Sequence, residues 1–247
     1  AGVQRVIFTS SAAAVGLRSD GQPSDESVPF NLPVERFPYG YSKWLAEEIA
    51  REAAAQGQDV VIVNPVVVMG PGDLNMISGS FIVQMQRYQW LAPSTSGGVA
   101  VIDVRDVAEG HLAAAERGRS GERYILSAEN VLYRDWFRLI AGVIGVASPL
   151  LSAPDFALPP VAAGIDLLRR LGVQTPIDAN QVHLGAQKVF FNPAKAWAEL
   201  HRPQILMRQS VEETYRWYLE NGYLRADGSS GMVNRLGRLL GQRPPVL

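Results

Sequence analysis

The sequence predicts an α/β fold, a doubly wound parallel sheet followed by a small, mostly helical C-terminal lobe. Three observations carry that prediction. Val/Ile-rich runs too apolar for a solvent-facing strand recur along the first half of the chain. Segments with apolar residues at helical spacing lie between them. Clusters of Gly, Pro and Asp mark the changes from one to the other.

In order, the first such run is Val6-Ile7-Phe8-Thr9, preceded only by Ala1-Gly2-Val3-Gln4-Arg5. A buried strand needs neighbours on both sides, so the chain reads as a fragment, with an exposed apolar edge expected along residues 6–9. Residues 39–55 read as a helix, with Trp44, Leu45, Ile49 and Ala53 at helical spacing among Glu47, Glu48, Arg51 and Glu52. Residues 59–68 read as one strand, almost pure Val and Ile, closed by Gly70-Pro71-Gly72-Asp73. A strand at 99–104 leads to a helix ending at Arg117, capped by Asp106, whose spacing to Glu109 is that of a capping box. A strand within 121–127 and a helix at 133–143 complete a first domain, residues 1–147.

The lobe, expected to bind substrate and to include segments that return to the sheet, covers residues 148–224. Its start, 148–160, is rich in Pro, Ala and Leu, and an amphipathic helix is expected at 161–171. Further helices are expected at 192–200 and 211–221, the last stopped by Gly222. Residues 225–247 are Gly/Ser-rich and then basic, with Arg235, Arg238 and Arg243 around Leu236, Leu239 and Leu240, and read as a frayed tail.

Composition narrows the function classes. Lys and Arg total 23 against 24 Asp and Glu, so no strong field recruits nucleic acid or an anionic membrane. The absence of cysteine excludes a disulfide framework, a thiol nucleophile and a thiolate metal site, and agrees with a reducing compartment. His111, His183 and His201 are far apart without ligand spacing, so no metal is expected. No Gly-x-Ser-x-Gly elbow points to a hydrolase. Without a signal peptide or a bilayer-spanning apolar run in these residues, the protein is expected in the cytoplasm. Trp44, Trp136, Trp197 and Trp217 are expected as core anchors. Tyr88, Trp90 and Phe156 are expected to pack in the core or lobe, with a substrate pocket as the alternative.

The segment richest in chemistry is Tyr39-Gly40-Tyr41-Ser42-Lys43. On a helix, Tyr39 and Lys43 share one face. A phenol ordinarily titrates near about pH 10, and an ammonium one turn away stabilises the phenolate enough for proton exchange nearer neutrality. The spacing alone also describes an ordinary amphipathic helix. Upstream, Thr9-Ser10-Ser11 places hydroxyls at the carboxyl end of a parallel strand, where ligands of open α/β sheets bind, though such a cluster also serves as a turn or cap.

Together, strand-Ser-Ser and a Tyr-x-x-x-Lys that opens a helix resemble the short-chain dehydrogenase/reductase superfamily, in its extended branch of epimerases, dehydratases and reductases. The resemblance continues in Val63-Asn64-Pro65-Val66-Val67-Val68-Met69-Gly70-Pro71-Gly72 and in segments 101–108, 121–126 and 191–196, covering residues 1–224. It implies a partial Rossmann-like sheet, NAD or NADP, and hydride transfer at a carbonyl or carbinol carbon of a small-molecule substrate. By position it implies that Ser11 hydrogen-bonds the substrate oxygen, Tyr39 exchanges the proton, and Lys43 binds the nicotinamide ribose while stabilising the phenolate. Thr9 and Ser10 would lie along the cofactor, with Ser10 a competitor for the role of Ser11. Pro65, Val66 and Val68 would frame the nicotinamide. A homodimer through two long helices, one of them 39–55, is also implied.

The superfamily's Gly-x-x-Gly-x-x-Gly turn is not in this sequence. Gly70-Pro71-Gly72 cannot replace it, because it follows a later strand and Pro71 has no N–H. The chain as written is thus expected to bind cofactor feebly or not at all, the activity belonging to its parent. Dehydration is disfavoured, since Ala12 and Ala13 stand where dehydratases of the superfamily place an Asp-Glu pair. In Asn64-Pro65-Val66-Val67, Val67 stands where sugar-nucleotide epimerases place an Asn. The pattern is closer to dihydroflavonol-4-reductase-like proteins and a hopanoid-associated sugar epimerase, and favours oxidation or reduction of a fairly apolar ketone or alcohol over epimerisation. The contrasting readings are a nucleotide-sensing binding module, which the presence of Tyr39 and Lys43 weighs against, and an inert fragment.

Overall fold

The computed structural model describes residues 2–88, 94–149, 152–173, 175 and 179–225. In chain order the elements are β1 (Arg5–Thr9), α1 (Pro38–Ala55), β2 (Asp59–Pro65), β3 (Val67–Met69), α2 (Ser80–Tyr88), β4 (Gly98–Asp103), α3 (Val104–Arg117), β5 (Arg123–Leu126), β6 (Glu129–Leu132), α4 (Tyr133–Ile144), α5 (Leu158–Arg170), α6 (Ala179–Gly185), β7 (Lys188–Val189), α7 (Ala194–Glu199) and α8 (Met207–Glu220). They fall into two compact units that interleave along the chain. One comprises Ala1–Val68, Ala100–Asn130 and Val189–Ile205, the other Met69–Val99, Val131–Lys188 and Leu206–Leu247. The chain leaves the first unit at Met69 and returns to it at Ala100 and again at Val189.

The first unit is built on a parallel sheet of order β1-β2-β5, with Arg5 opposite Asp59 and Ile62 opposite Arg123. Its central strand is β2, where Val60, Val61, Ile62 and Val63 are at most 4% exposed. Burying each of these side chains contributes about 1.5–3 kcal/mol, which is why an all-apolar run occupies the middle. Helices α1 and α3 pack on this sheet. Among the described residues β1 has a neighbour on one side only, and Val6 is 46% exposed, the apolar edge expected from the sequence.

Several elements depart from the sequence reading. The run 59–68 is not one strand: at Val66 the chain donates its N–H to Leu126 O, and Val67–Met69 then joins a second sheet of order β3-β4-β6, with β7 beside β4. The cap of α3 is Asp103 and not Asp106. Asp103 accepts the N–H of Arg105, so the helix starts three residues earlier. Asp106 is buried in the first turn, accepting the backbone N–H groups of Gln204 and Ile205, with His201 Nε2 also 2.8 Å away. Helix α5 begins at Leu158, with Pro159 and Pro160 in a first turn whose N–H groups have no intrahelical partner. Elements α2, β6, α6 and β7 were not expected.

In the second unit, α4 packs against both α2 and α8. Phe81, Tyr133, Trp136 and Phe137 form an aromatic cluster in which Trp136 is fully buried. Trp136 is the core anchor expected; Trp44, Trp197 and Trp217 are half-buried. Tyr88 is half-buried beside Arg87, and Phe156 is 82% exposed rather than packed. Trp90 and residues 226–247 of the expected tail lie outside the described residues. No helix among the described residues is long and apolar enough to cross a membrane.

Candidate active site

The site is built where β1 ends. Beyond Thr9 the chain turns at once: Ser11 has extended backbone, and its hydroxyl accepts the N–H of Ala13 at 3.2 Å, capping a short 3-10 turn over Ala12–Ala14. The first turn of α1 rests on this cap. Gly40 is buried there, and a Cβ at that position would lie 2.4 Å from the carbonyl oxygen of Ala13. Only glycine lets the two turns approach so closely.

Tyr39 and Lys43 stand one turn apart on α1. Lys43 Nζ donates to the carbonyl oxygen of Thr9 at 3.3 Å and lies 5.9 Å from the centre of the Phe8 ring. The ammonium therefore reaches the strand end. Tyr39 is 58% exposed, and among the described residues its hydroxyl has no hydrogen-bond partner. No hydrogen bond joins the heads of Ser11, Tyr39 and Lys43 to one another. What the structure brings together is the end of β1, the Ser11 turn and the first two turns of α1.

The neighbouring hydroxyls face different surroundings. Ser10 is 5% exposed and its Oγ donates to Glu47 at 2.6 Å, so this hydroxyl is turned inward, while Ser11 stays partly open. Thr9 Oγ1 is 2.9 Å from His111 Nε2, and His111 Nδ1 is 2.8 Å from the carbonyl oxygen of Val107. A carbonyl only accepts, so Nδ1 carries the proton, and in the neutral ring Nε2 accepts from Thr9. Pro65 is buried, while Val66 and Val68 are half-buried against the core around Val63 and Leu126. A cation, a phenol and hydroxyls beside two apolar side chains fit the nicotinamide-ribose end of a dinucleotide: polar heads for ribose hydroxyls and aliphatic walls for the ring.

Sequence reasoning missed Glu47, Asn64, His111 and Arg123. Two signals were available. Asn64 interrupts an otherwise apolar buried strand, and Glu47 follows Lys43 by one helical turn on the same face.

A parallel α/β sheet with hydroxyls at a strand end and helices packed on it is the architecture of a Rossmann-type fold. The NAD dependent epimerase/dehydratase family matches residues 1–127, and the chain belongs to that family. Over 234 residues it is 37% identical to the "Putative dihydroflavonol 4-reductase" of Synechocystis sp., covering 91% of this chain and 67% of that protein. Over 210 residues it is 31% identical to the 4-hydroxy-2-methyl-3-oxo-4-farnesyl-3,4-dihydroquinoline-1-oxide ketoreductase of Stigmatella aurantiaca, covering 80% of this chain and 60% of that one. Its structure is similar to that of a nucleoside-diphosphate-sugar epimerase from Pseudomonas aeruginosa, with a TM-score of 0.75, 29% identity, and coverage of 90% of this chain and 69% of that one.

Proposed function

We propose that the protein interconverts a ketone and a secondary alcohol on a fairly apolar small molecule, using NAD or NADP, with Ser11, Tyr39 and Lys43 as its catalytic residues. The observation that carries this reading is the reach of Lys43 Nζ to Thr9 O at the strand end, beside a Ser11 turn packed on the Tyr39-Gly40 step. Bound cofactor supplies or accepts the hydride. Ser11 Oγ already accepts the N–H of Ala13, which fixes the oxygen and leaves its O–H to donate to the substrate carbonyl. In reduction, Tyr39 gives its phenolic proton to the alkoxide oxygen as the carbon gains hydride. The resulting phenolate sits one turn from the Lys43 ammonium and is reprotonated from solvent, to which Tyr39 is open. Thr9, Ser10, Pro65, Val66 and Val68 line the cofactor path, Ser10 through its backbone because its hydroxyl is held by Glu47.

The names of the Synechocystis and Stigmatella aurantiaca relatives support a ketone substrate, the second with a farnesyl group. The Pseudomonas neighbour favours the second reading, a sugar-nucleotide epimerase. The two differ in cofactor balance. The chain covers 67% of the length of the Synechocystis relative, so the test object is a polypeptide spanning that whole length, with which NADH or NADPH should be consumed in step with an apolar ketone. Turnover of a nucleoside-diphosphate sugar without net cofactor consumption would overturn the reductase reading. A cytoplasmic location fits the lack of cysteine. Leu45 and Ile49, 43% and 69% exposed on α1, support a homodimer through that helix, which sedimentation would check.

A further inference from the structure

Glu47 lies on α1 one turn beyond Lys43, and its side chain is wholly buried. One carboxylate oxygen accepts from Ser10 Oγ at 2.6 Å and from the amide of Asn64; the other accepts from Arg51 at 2.8 Å and Arg123 at 3.1 Å. Arg123 is itself buried, with its remaining N–H groups on the carbonyl oxygens of Glu26 and Val28. A buried carboxylate is tolerable only when its lone pairs are met in this way. The network ties α1 to β2, to β5 and to the residue that follows β1.

Asn64 extends the network to the site. Its Nδ2 donates to Glu47 and also to the carbonyl oxygen of Ser11 at 2.9 Å. Both partners accept only, so the amide orientation is forced, and Oδ1 is left buried without a partner among the described residues. An apolar residue would avoid that desolvation cost. What the amide provides instead is a bridge from Glu47 to the backbone of Ser11.

We propose that Glu47 is a positioning residue: through Ser10 and Asn64 it holds the Ser10–Ser11 segment in register with the helix face that carries Tyr39 and Lys43. The proposal rests on the oxidoreductase reading above. Tyr39, Lys43 and Glu47 repeat at four-residue spacing, so the same face that offers the phenol and the ammonium is locked to the strand ends one turn later. Misplacement of reacting groups by about 1 Å costs up to roughly a hundredfold in rate.

The test is steady-state kinetics on the full-length protein with wild type, Tyr39→Phe, Ser11→Ala, Glu47→Gln, the Ser11→Ala/Glu47→Gln double variant, Asn64→Ala and Ser11→Ala/Asn64→Ala. Gln keeps the volume of Glu but sets an NH2 group among donors. Glu47→Gln should lower kcat roughly tenfold or more with a smaller change in KM, and the double variant should be no slower than Ser11→Ala alone. Wild-type kcat in Glu47→Gln, or losses that multiply, would overturn the proposal. Should Glu47→Gln fail to fold, Asn64→Ala decides, since it cuts the bridge and keeps both guanidinium pairs. Its kcat loss should vanish in the Ser11→Ala background, and persistence there would refute the role. Full-rate Glu47→Gln with an inactive Tyr39→Phe refutes the positioning role alone. Full-rate Tyr39→Phe refutes the underlying reading.

Discussion

Helices α1 and α3 pack on the same parallel sheet and are secured in opposite ways. α3 is held at its start: Asp103 caps it, and Asp106 in the first turn gathers two backbone N–H groups from Gln204 and Ile205. α1 opens on Pro38 with no side-chain cap at Phe37, and is held from its middle by Glu47. A capped helix start has its orphan N–H donors satisfied and closed off. The helix that carries the candidate chemistry is anchored at Glu47, two turns beyond Tyr39 and one beyond Lys43, which leaves Tyr39 open to a ligand while the helix axis stays fixed.

Removing the anchor should have the largest effect on that contrast. Glu47→Ala leaves the Arg123 charge buried without its carboxylate, and a loss of about 3–5 kcal/mol is expected in urea unfolding. A loss below about 1 kcal/mol would show that α1 is secured elsewhere. Next comes the open end. Gly40→Ala drives a methyl group into the carbonyl of Ala13, and a cost of about 1–3 kcal/mol with lowered turnover is expected; unchanged stability would contradict the close approach. On α3, Asp103→Ala should cost about 1 kcal/mol, and Asp103→Asn much less because an amide oxygen also caps. Equal losses from both would show that the charge, and not the cap, matters there.

The smallest effect lies beside Arg123. Burial pushes the Glu26 carboxyl above its ordinary value, against the N–H it accepts from Ile125. The folded protein therefore holds that proton more tightly than the unfolded chain, and stability falls as pH rises from the unfolded value through the folded one. Glu26→Gln keeps an acceptor for Ile125 and removes the charge. Its stability relative to wild type should be greater at about pH 7 than at about pH 4. Denaturant melts at both values check the sign, and a difference that grows towards acid would contradict it.

The parallel α/β order was legible because β2 is an apolar run with nowhere to go but the middle of a sheet. Tyr39, Lys43 and the strand-end hydroxyls were legible because their spacing is local. Other features depend on partners distant in sequence. Leu45 and Ile49 mark a stripe that points outward, while Glu47 is buried, because three of its donors are distant in sequence: Ser10 just after β1, Asn64 on β2 and Arg123 on β5. Asp103 and Asp106 are both plausible caps in one dimension, and only the bonds that Asp106 makes to Gln204 and Ile205 separate them. The pairing of Thr9 with His111 spans 102 residues and leaves no local trace.

The central claim is that Tyr39 gives up the proton in carbonyl reduction. Its most direct test is the rate of ketone-dependent NAD(P)H oxidation by Tyr39→Phe against wild type, read beside a thermal melt of each. Because the ring is 58% exposed, the melt should barely move, while the rate should fall by about 10²–10⁴-fold. Equal rates from two equally stable proteins would contradict it.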